Sequence, residues 1–178
     1  MIASLNMARE DYSILDPNFL SGIDETDLDR ILNGSIKIPL FGERLGILRE
    51  LGKVVQEYGS FSEFVSTRNA LELVDIIQRK IPSFRDSEVY KGREIRFDKR
   101  AQLLVSDIGQ VYPLEGLGKL TACADYILPL VLRDQGILVY SRDLARRVDS
   151  EIEIISGSEE EIEIRANTLW AVELSSRR

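Results

Sequence analysis

Asp125 is the residue whose surroundings in the sequence most suggest chemistry. It lies in residues 120–141, LTACADYILPLVLRDQGILVYS, a mostly small or apolar stretch in which the next charges are Arg133 and Asp134. A carboxylate among apolar side chains is costly to bury unless a partner compensates it. Asp125 therefore either caps a neighbouring helix or pairs with an arginine, or it faces a space that the small residues leave open for a substrate.

A second candidate region is residues 91–100, KGREIRFDKR, where five basic residues and two acids give a local net charge of +3. Such a cluster is either a solvated loop and helix start or a site for a small anion. If a helix begins at Lys99, then Leu103 and Asp107 share its face. Lys99 and Asp107 would form either an internal ion pair or part of a half-buried polar pocket.

Composition limits the chemistry that these residues can perform. The chain has one cysteine, Cys123, and no histidine, which excludes disulfide frameworks, Cys/His zinc sites, Ser-His-Asp triads and Cys-His dyads. Any catalysis must use carboxylates, Lys, Arg, Tyr or water. Cys123 is interpreted as a small core residue, and Tyr126 and Trp170 as core or pocket-wall aromatics.

The overall charge argues against polyanionic partners. The chain has 178 residues, 44% apolar and 30% charged, with a net charge of −7 and a pI near 4.8. These values are typical of a globular domain and predict a small-molecule or protein partner rather than nucleic acid or a membrane surface. No apolar run approaches the ~20 residues of a membrane span, so we expect a protein of the reducing cytoplasm.

The elements that must position these residues are predicted to be mainly helical. Apolar residues recur at three- and four-residue steps, with capping residues at the segment ends. The predicted helices cover residues 24–32 (ending at Asn33-Gly34), 43–58, 60–64, 70–81, 98 or 99–110 and 120–133. Pro129 inside the last of these predicts a kink, or two helices that meet near Leu128.

Two features of the predicted helices can be tested directly. The helix after Lys99 should bury a stripe made of Leu103, Leu104, Ile108 and Val111. Residues 151–165, EIEIISGSEEEIEIR, fit either a β-hairpin around Ser-Gly-Ser or a helix. The capping-box pattern of Ser158 and Glu161 favours a helix from Glu159 to Leu174, with Ile162, Ala166, Leu169 and Val172 at helical spacing.

Several segments together resemble a known family. They are SFRD at 83–86, FDKRAQLLVSD at 97–107, the stretch at 120–141, and GSEEEIEIRANTLWAVEL at 157–174. They resemble, in order, the queuosine salvage family, the queuosine 5′-phosphate N-glycosylase/hydrolases. SLNMAREDYSILDPNFL at 4–20 and IPLFGERLGILRELGKVVQEYGSF at 38–61 extend the resemblance over essentially the whole chain.

The resemblance implies an all-α fold, with little or no β structure, similar to the helix-hairpin-helix DNA glycosylases. It implies hydrolysis of queuosine 5′-monophosphate to queuine and ribose 5-phosphate, with no metal or organic cofactor. Asp125 would stabilise positive charge on the ribose or activate water, and Lys99 would bind the 5′-phosphate or orient Asp125. Phe97 and Tyr126 would line the pocket, and Arg100 would bind phosphate or carboxylate.

The chain departs from the family pattern in places. It has Ile-Leu-Pro-Leu at 127–130 where members usually carry Arg-Val-Pro-Gln, and it lacks their usual aromatic residues at Asp98 and Cys123. Members are also longer at both ends, so residues 1–178 are interpreted as a single domain without the N- and C-terminal parts of the full family domain. The alternative is a non-catalytic helical module that binds a nucleotide or a protein, with Asp125 in a structural ion pair.

Overall fold

The computed structural model of the chain describes residues 14–32 and 38–176. Within these ranges it contains nine α-helices and one two-stranded sheet, so the predicted, predominantly helical fold is confirmed. The helices are α1 (Pro17–Gly22), α2 (Glu25–Leu32), α3 (Phe41–Tyr58), α4 (Phe61–Phe64), α5 (Ala70–Lys80), α6 (Lys99–Gly109), α7 (Ile127–Asp134), α8 (Arg142–Asp149) and α9 (Glu159–Ser176). The strands are β1 (Ser87–Tyr90) and β2 (Arg93–Arg96), and short 3-10 helices cover Pro82–Phe84 and Leu117–Lys119.

The described residues divide into two compact units. The first contains the residues up to 68 together with 79–83, and the second contains 69–78 together with those from 84 onwards. The single domain over residues 1–178 stays a prediction. Within the described ranges, no helix combines the length and the apolar character needed to cross a bilayer.

The first unit begins with short, capped helices. Asp24 and Asp27 cap α2 reciprocally: the Asp27 N–H donates to Asp24 Oδ1 (2.8 Å) and the Asp24 N–H donates to Asp27 Oδ2 (3.2 Å). The predicted helix over 24–32 is therefore confirmed, while Asn33-Gly34 lies outside the described residues. A buried apolar cluster holds this unit together and consists of Ile23, Leu28, Ile31, Leu32 and Leu45.

Helix α3 confirms the prediction over 43–58 and ends at Gly59, whose φ of 85° a residue with a side chain rarely adopts. Its Gly52 faces α1 at very short range. A Cβ atom at Gly52 would lie 2.3 Å from the backbone nitrogen of Ser21. Only glycine allows this approach. Ser60 caps α4 by accepting the Glu63 N–H (3.1 Å), as predicted.

The second unit contains residues 70–78 of α5, the helix predicted over 70–81, and a β-hairpin that the sequence analysis did not predict for residues 91–100. β1 and β2 pair antiparallel, with Tyr90 opposite Arg93. The turn residues Lys91 and Gly92 both have positive φ, 48° and 77°, which is the geometry of a tight two-residue hairpin turn. The charged residues of this segment therefore belong partly to strands.

Helix α6 lies where the sequence predicted a helix, but its buried face differs. Ala101, Gln102 and Val105 are buried, whereas Leu103 is 44% and Val111 is 88% exposed. The predicted apolar stripe was right only in part: Leu104 and Ile108 are half-buried, but the polar Gln102 shares the most buried face with Ala101 and Val105. The Gln102 Nε2 atom donates to the Phe97 carbonyl oxygen and to Thr121 Oγ1, both at 3.0 Å.

The predicted helix over 120–133 was wrong in its first half. Residues 120–126 are not helical, and α7 begins only at Ile127. Thr121 donates its backbone N–H to Gln102 Oε1 (2.6 Å), so this N–H is used outside a helix. Pro129 is then the third residue of α7, where a missing N–H costs no helical hydrogen bond, and no kink is needed.

Helix α9 confirms the helical alternative for the C-terminal segment. Ser158 Oγ accepts the Glu161 N–H (3.3 Å), as a capping residue should. Ile162 and Thr168 are buried. Trp170 is 63% exposed, so its interpretation as a core or pocket-wall aromatic was wrong.

Candidate active site

The second unit contains a cavity of about 670 Å³, a size suited to a small molecule. One part of its wall is charged and the other is largely apolar. The charged part includes Asp86, Lys99, Arg100, Asp125 and Arg165. The largely apolar part includes Pro129, Leu130, Tyr140, Val148, Ile154 and Ile164.

Asp125 lies two residues before the start of α7, and its two carboxylate oxygens have different partners. Oδ1 accepts the backbone N–H groups of Ile127 (2.9 Å) and Leu128 (3.1 Å). Oδ2 lies 3.9 Å from Lys99 Nζ, and both side chains are about 30% exposed. The carboxylate is therefore fixed by the helix start and remains accessible from the cavity.

The pKa of Asp125 is lowered from its ordinary value. The largest cause is the hydrogen bond from the Leu128 N–H, and the Ile127 N–H and the charge of Lys99 act in the same direction, while burial opposes them. Hydrogen bonds to the ionised form stabilise it. Asp125 is consequently a carboxylate at neutral pH.

Lys99 is the first residue of α6, and Asp86 fixes its backbone. The Lys99 N–H donates to Asp86 Oδ2 at 3.0 Å. Arg165 Nη2 in turn lies 2.7 Å from both carboxylate oxygens of Asp86. The side chains of this second ion pair are only 13% and 17% exposed, which places them deeper than Lys99 and Asp125.

Tyr140 is an aromatic residue of the cavity wall. Burial raises the pKa of its hydroxyl, so Tyr140 is a neutral hydrogen-bond donor at physiological pH. The Arg133 guanidinium lies 5.0 Å from the Tyr140 ring centroid and pairs with Asp149 at 2.8 Å. An aromatic ring with apolar neighbours offers a planar, uncharged surface beside the charged part of the wall.

The structure brings together four of the residues singled out from the sequence: Lys99, Arg100, Asp125 and Tyr126 all line the cavity. Tyr126 is 81% exposed, so it stands at the cavity edge rather than in a core. Phe97 and Asp107 are not among the described lining residues. Phe97 is 2% exposed beneath Arg165, and Asp107 is exposed on α6.

Sequence reasoning missed Asp86 and Arg165 as residues of this site. Both lie inside segments that carried the family resemblance, Asp86 in SFRD and Arg165 in the segment at 157–174. The available signal for Arg165 was that it is a single basic residue in the acidic segment at the start of the predicted helix. Its partner could not be found from spacing because 79 residues separate the two.

The remaining candidates for chemistry are less suited. The Cys123 thiol has a raised pKa, chiefly because of burial, so it is not an activated nucleophile. Among residues 14–32 and 38–176, no three acidic or cysteine side chains are grouped so as to hold a metal ion. The fold and the site thus define a predominantly helical protein with a fixed carboxylate on the wall of a small-molecule cavity.

Comparison with known proteins identifies the family. A family model described as queuosine salvage protein matches residues 1–178, so the chain belongs to the queuosine salvage protein family. A Sphaerobacter thermophilus protein named queuosine 5′-phosphate N-glycosylase/hydrolase is 44% identical over 97% of this chain and 57% of its own length.

Proteins of the same name from Dictyostelium discoideum and Mus musculus are 40% and 39% identical. Their matches cover 76% and 79% of this chain and 46% and 44% of the relatives. The chain therefore spans about half the length of the curated relatives that it matches.

Proposed function

We propose that this chain hydrolyses the N-glycosidic bond of queuosine 5′-monophosphate and releases queuine and ribose 5-phosphate, which returns the base for tRNA modification. The observation that carries the proposal is the Asp125 carboxylate, held by two N–H groups and 3.9 Å from Lys99, on the wall of the cavity. The names of the relatives support the same reaction.

The chemistry places specific demands on a carboxylate. When the bond between C1′ and the base breaks, its electron pair leaves with the base and positive charge develops on the ribose ring. Water then supplies the oxygen that bonds to C1′, and a proton passes to the departing base. An ionised carboxylate beside C1′ stabilises the transient cation.

Asp125 is better suited to stabilising charge than to taking a proton. A group whose pKa is lowered binds a proton weakly at neutral pH, so it is a poor general base but a permanent negative charge. We assign Asp125 primarily to electrostatic stabilisation, with orientation of the attacking water as its second task. The fixed position of Oδ1 means that little reorganisation is needed during the reaction.

The other wall residues suit the remaining parts of the substrate. Lys99 and Arg100 present cationic side chains to the 5′-phosphate, and Lys99 also orients the Asp125 carboxylate from 3.9 Å. Tyr140, Leu130 and Ile154 offer an apolar surface for the planar base. The proposal includes a cytoplasmic reaction on a free nucleotide, with no metal or organic cofactor.

The first test replaces Asp125 with Asn. Asn keeps an oxygen that can accept the Ile127 and Leu128 N–H groups, and it is a good helix cap, so Tm should stay within about 2 °C of the parent. The charge is lost, and base release should fall by roughly 100-fold or more. Queuine released from queuosine 5′-monophosphate is measured by mass spectrometry.

Asp143→Asn is the matched control because Asp143 is exposed on α8, outside the cavity, and its ion pair is with Arg146. This control should release queuine at the parent rate. Folded parent protein that releases no base from queuosine 5′-monophosphate would contradict the proposed function.

The second candidate function is a non-catalytic module that binds a nucleotide or a protein. The observation that favours it is the capping of α7 by Asp125 Oδ1, which is a sufficient structural reason for this acid. In that case the parent binds queuosine 5′-monophosphate in calorimetry without turnover, and Asp125→Asn leaves binding unchanged within about twofold because the cap persists.

A further inference from the structure

Asp86 receives three consecutive backbone N–H groups at the start of α6. Its carbonyl oxygen accepts those of Phe97 (2.8 Å) and Asp98 (3.2 Å), and its carboxylate Oδ2 accepts that of Lys99 (3.0 Å). These N–H groups precede or begin the helix and have no partner within it. Asp86 therefore determines where α6 starts and how Lys99 enters it.

The turn that Asp86 organises is unfavourable without these bonds. Asp98 has a φ of 53°, in the left-handed region that costs free energy for a residue with a side chain. Burial also raises the pKa of Asp98, although Arg96 pairs with it at 2.7 Å. The contacts to Asp86 are what hold this conformation, and Lys99 follows it directly.

Arg165 holds the Asp86 carboxylate from the opposite side. Its Nη2 lies 2.7 Å from both oxygens, its guanidinium carbon lies 3.8 Å from the centroid of the Phe97 ring, and its Nη1 lies 3.6 Å from Glu161 Oε1. The aromatic ring and the two acids leave the guanidinium few alternative orientations. Phe97 thus supports Arg165 instead of lining the cavity.

We propose that Arg165 is a positioning residue: through Asp86 it sets the backbone of Lys99, and thereby the orientation of the Lys99 ammonium relative to the Asp125 carboxylate. The assignment rests on the proposed function for its catalytic consequence. Arg165 acts through a chain of contacts, from its guanidinium to Asp86, from Asp86 to the Lys99 N–H, and from Lys99 to Asp125. It does not itself need to contact the reacting atoms.

A purely structural ion pair would have a different signature. It would change stability and leave the turnover number of the folded fraction intact. Direct binding of substrate by Arg165 would raise KM and leave kcat unchanged. Positioning of Lys99 predicts a fall in kcat together with loosening of the turn at residues 97–99, which a substrate-independent method can detect.

The experiment compares Arg165→Gln and Arg165→Lys with the control Arg147→Gln. Like Arg165, Arg147 contacts both oxygens of one carboxylate: its Nη1 lies 2.7 and 2.6 Å from the oxygens of Glu160. Unlike Arg165, Arg147 does not line the cavity. Kinetics of queuine release and residue-resolved amide hydrogen exchange by NMR are measured for each variant and for the parent.

In Arg165→Gln, kcat should fall roughly tenfold or more while KM stays within about threefold, since Arg100 and the apolar wall residues still contact the substrate when Lys99 is displaced. Exchange of the Phe97, Asp98 and Lys99 amides should speed up by about tenfold. Arg165→Lys keeps the positive charge but not the planar guanidinium group. Its kcat should therefore lie between those of the parent and Arg165→Gln. If Arg165→Gln does not fold, Arg165→Lys carries the same comparison.

Each outcome decides the proposal. It is overturned if the active parent and Arg165→Gln share the same kcat, or if only KM rises. If the parent releases no queuine, the proposed function fails, and the exchange data alone decide whether Arg165 positions Lys99. Faster exchange at 97–99 in Arg165→Gln and not in Arg147→Gln then supports the positioning, whereas unchanged exchange rejects it.

Discussion

At the scale of single residues, the position of Asp125 is compatible with both alternatives that its sequence context left open. One carboxylate oxygen caps α7 and the other faces Lys99 at 3.9 Å. A carboxylate has acceptor capacity on both oxygens, so a structural bond on one does not occupy the other. The structural and functional interpretations of this acid are therefore compatible.

The lowered pKa of Asp125 leads to a prediction about pH. Carboxyl titration followed by ¹³C NMR, with Asp125→Asn to assign the signal, should give a pKa below the ordinary value of about 3.9. A lowered folded-state pKa means that the stabilising contribution is present above about 3.9 and is lost only as the pH falls through the folded value.

The same shift predicts that Asp125 contributes no acid limb to kcat/KM between pH 7 and about 5, since it stays ionised over that range, whereas the substrate phosphate, with a second pKa of about 6, titrates within it. Circular dichroism at each pH checks that the protein remains folded. If kcat/KM falls below about pH 6 while the circular dichroism stays unchanged, a group other than Asp125 controls the reaction.

At the scale of elements, helix starts position the candidate catalytic pair. Lys99 is the first residue of α6, and Asp125 lies two residues before α7. In each case a carboxylate oxygen accepts backbone N–H groups at the helix start. An acid at a helix N-terminus is also favoured by the helix dipole. Hydrogen bonds at the helix starts thus fix the Asp125 carboxylate and the backbone of Lys99, and both side chains line the cavity.

Helix packing in the first unit provides a stability prediction at Gly52 of α3. Gly52→Ala places a Cβ 2.3 Å from the Ser21 nitrogen and 2.7 Å from the Leu20 carbonyl carbon, so backbone must move. The free energy of unfolding in urea should fall by about 2 kcal/mol or more. Base release per folded molecule should be unaffected.

Gly46 is the control because it lies in the same helix and a Cβ there meets nothing within 4 Å. Gly46→Ala should raise the free energy of unfolding by up to about 1 kcal/mol, the gain in helix propensity. Equal effects of the two substitutions would contradict the close approach of α1 to α3.

At the scale of the whole molecule, charge predicts the form of the substrate. The net charge is −7, which disfavours approach of a polyanion, whereas a single nucleotide needs only the local cations on the cavity wall. We expect queuine release from queuosine 5′-monophosphate and none from intact queuosine-containing tRNA.

The comparison uses the same tRNA before and after its digestion to 5′-mononucleotides, with queuine measured by mass spectrometry. Digestion should restore release, which also proves that the tRNA carried the modified base. Comparable release from the intact tRNA would overturn the preference for the free nucleotide.

The sequence by itself determined the helical class and most helix positions. Residues 43–58, 70–81 and 159–174 were predicted correctly because apolar periodicity and capping residues act over only a few positions. The same local chemistry distinguished Asp125 and Lys99, and the order of the family segments indicated the family. The prediction of a helix from local spacing failed at residues 120–126, where the Thr121 N–H donates to the Gln102 side chain on α6.

Only the tertiary structure decided which helix faces are buried and which charges meet. Val105 lies on the buried face of α6 and Leu103 on its exposed face. The buried face also contains Gln102, whose side chain is hydrogen-bonded there. Asp86 and Arg165 lie 79 positions apart in the chain, and their spacing does not predict that they form an ion pair. Periodicity reports what a segment can form with itself, whereas burial and pairing depend on partners that folding brings from elsewhere in the chain.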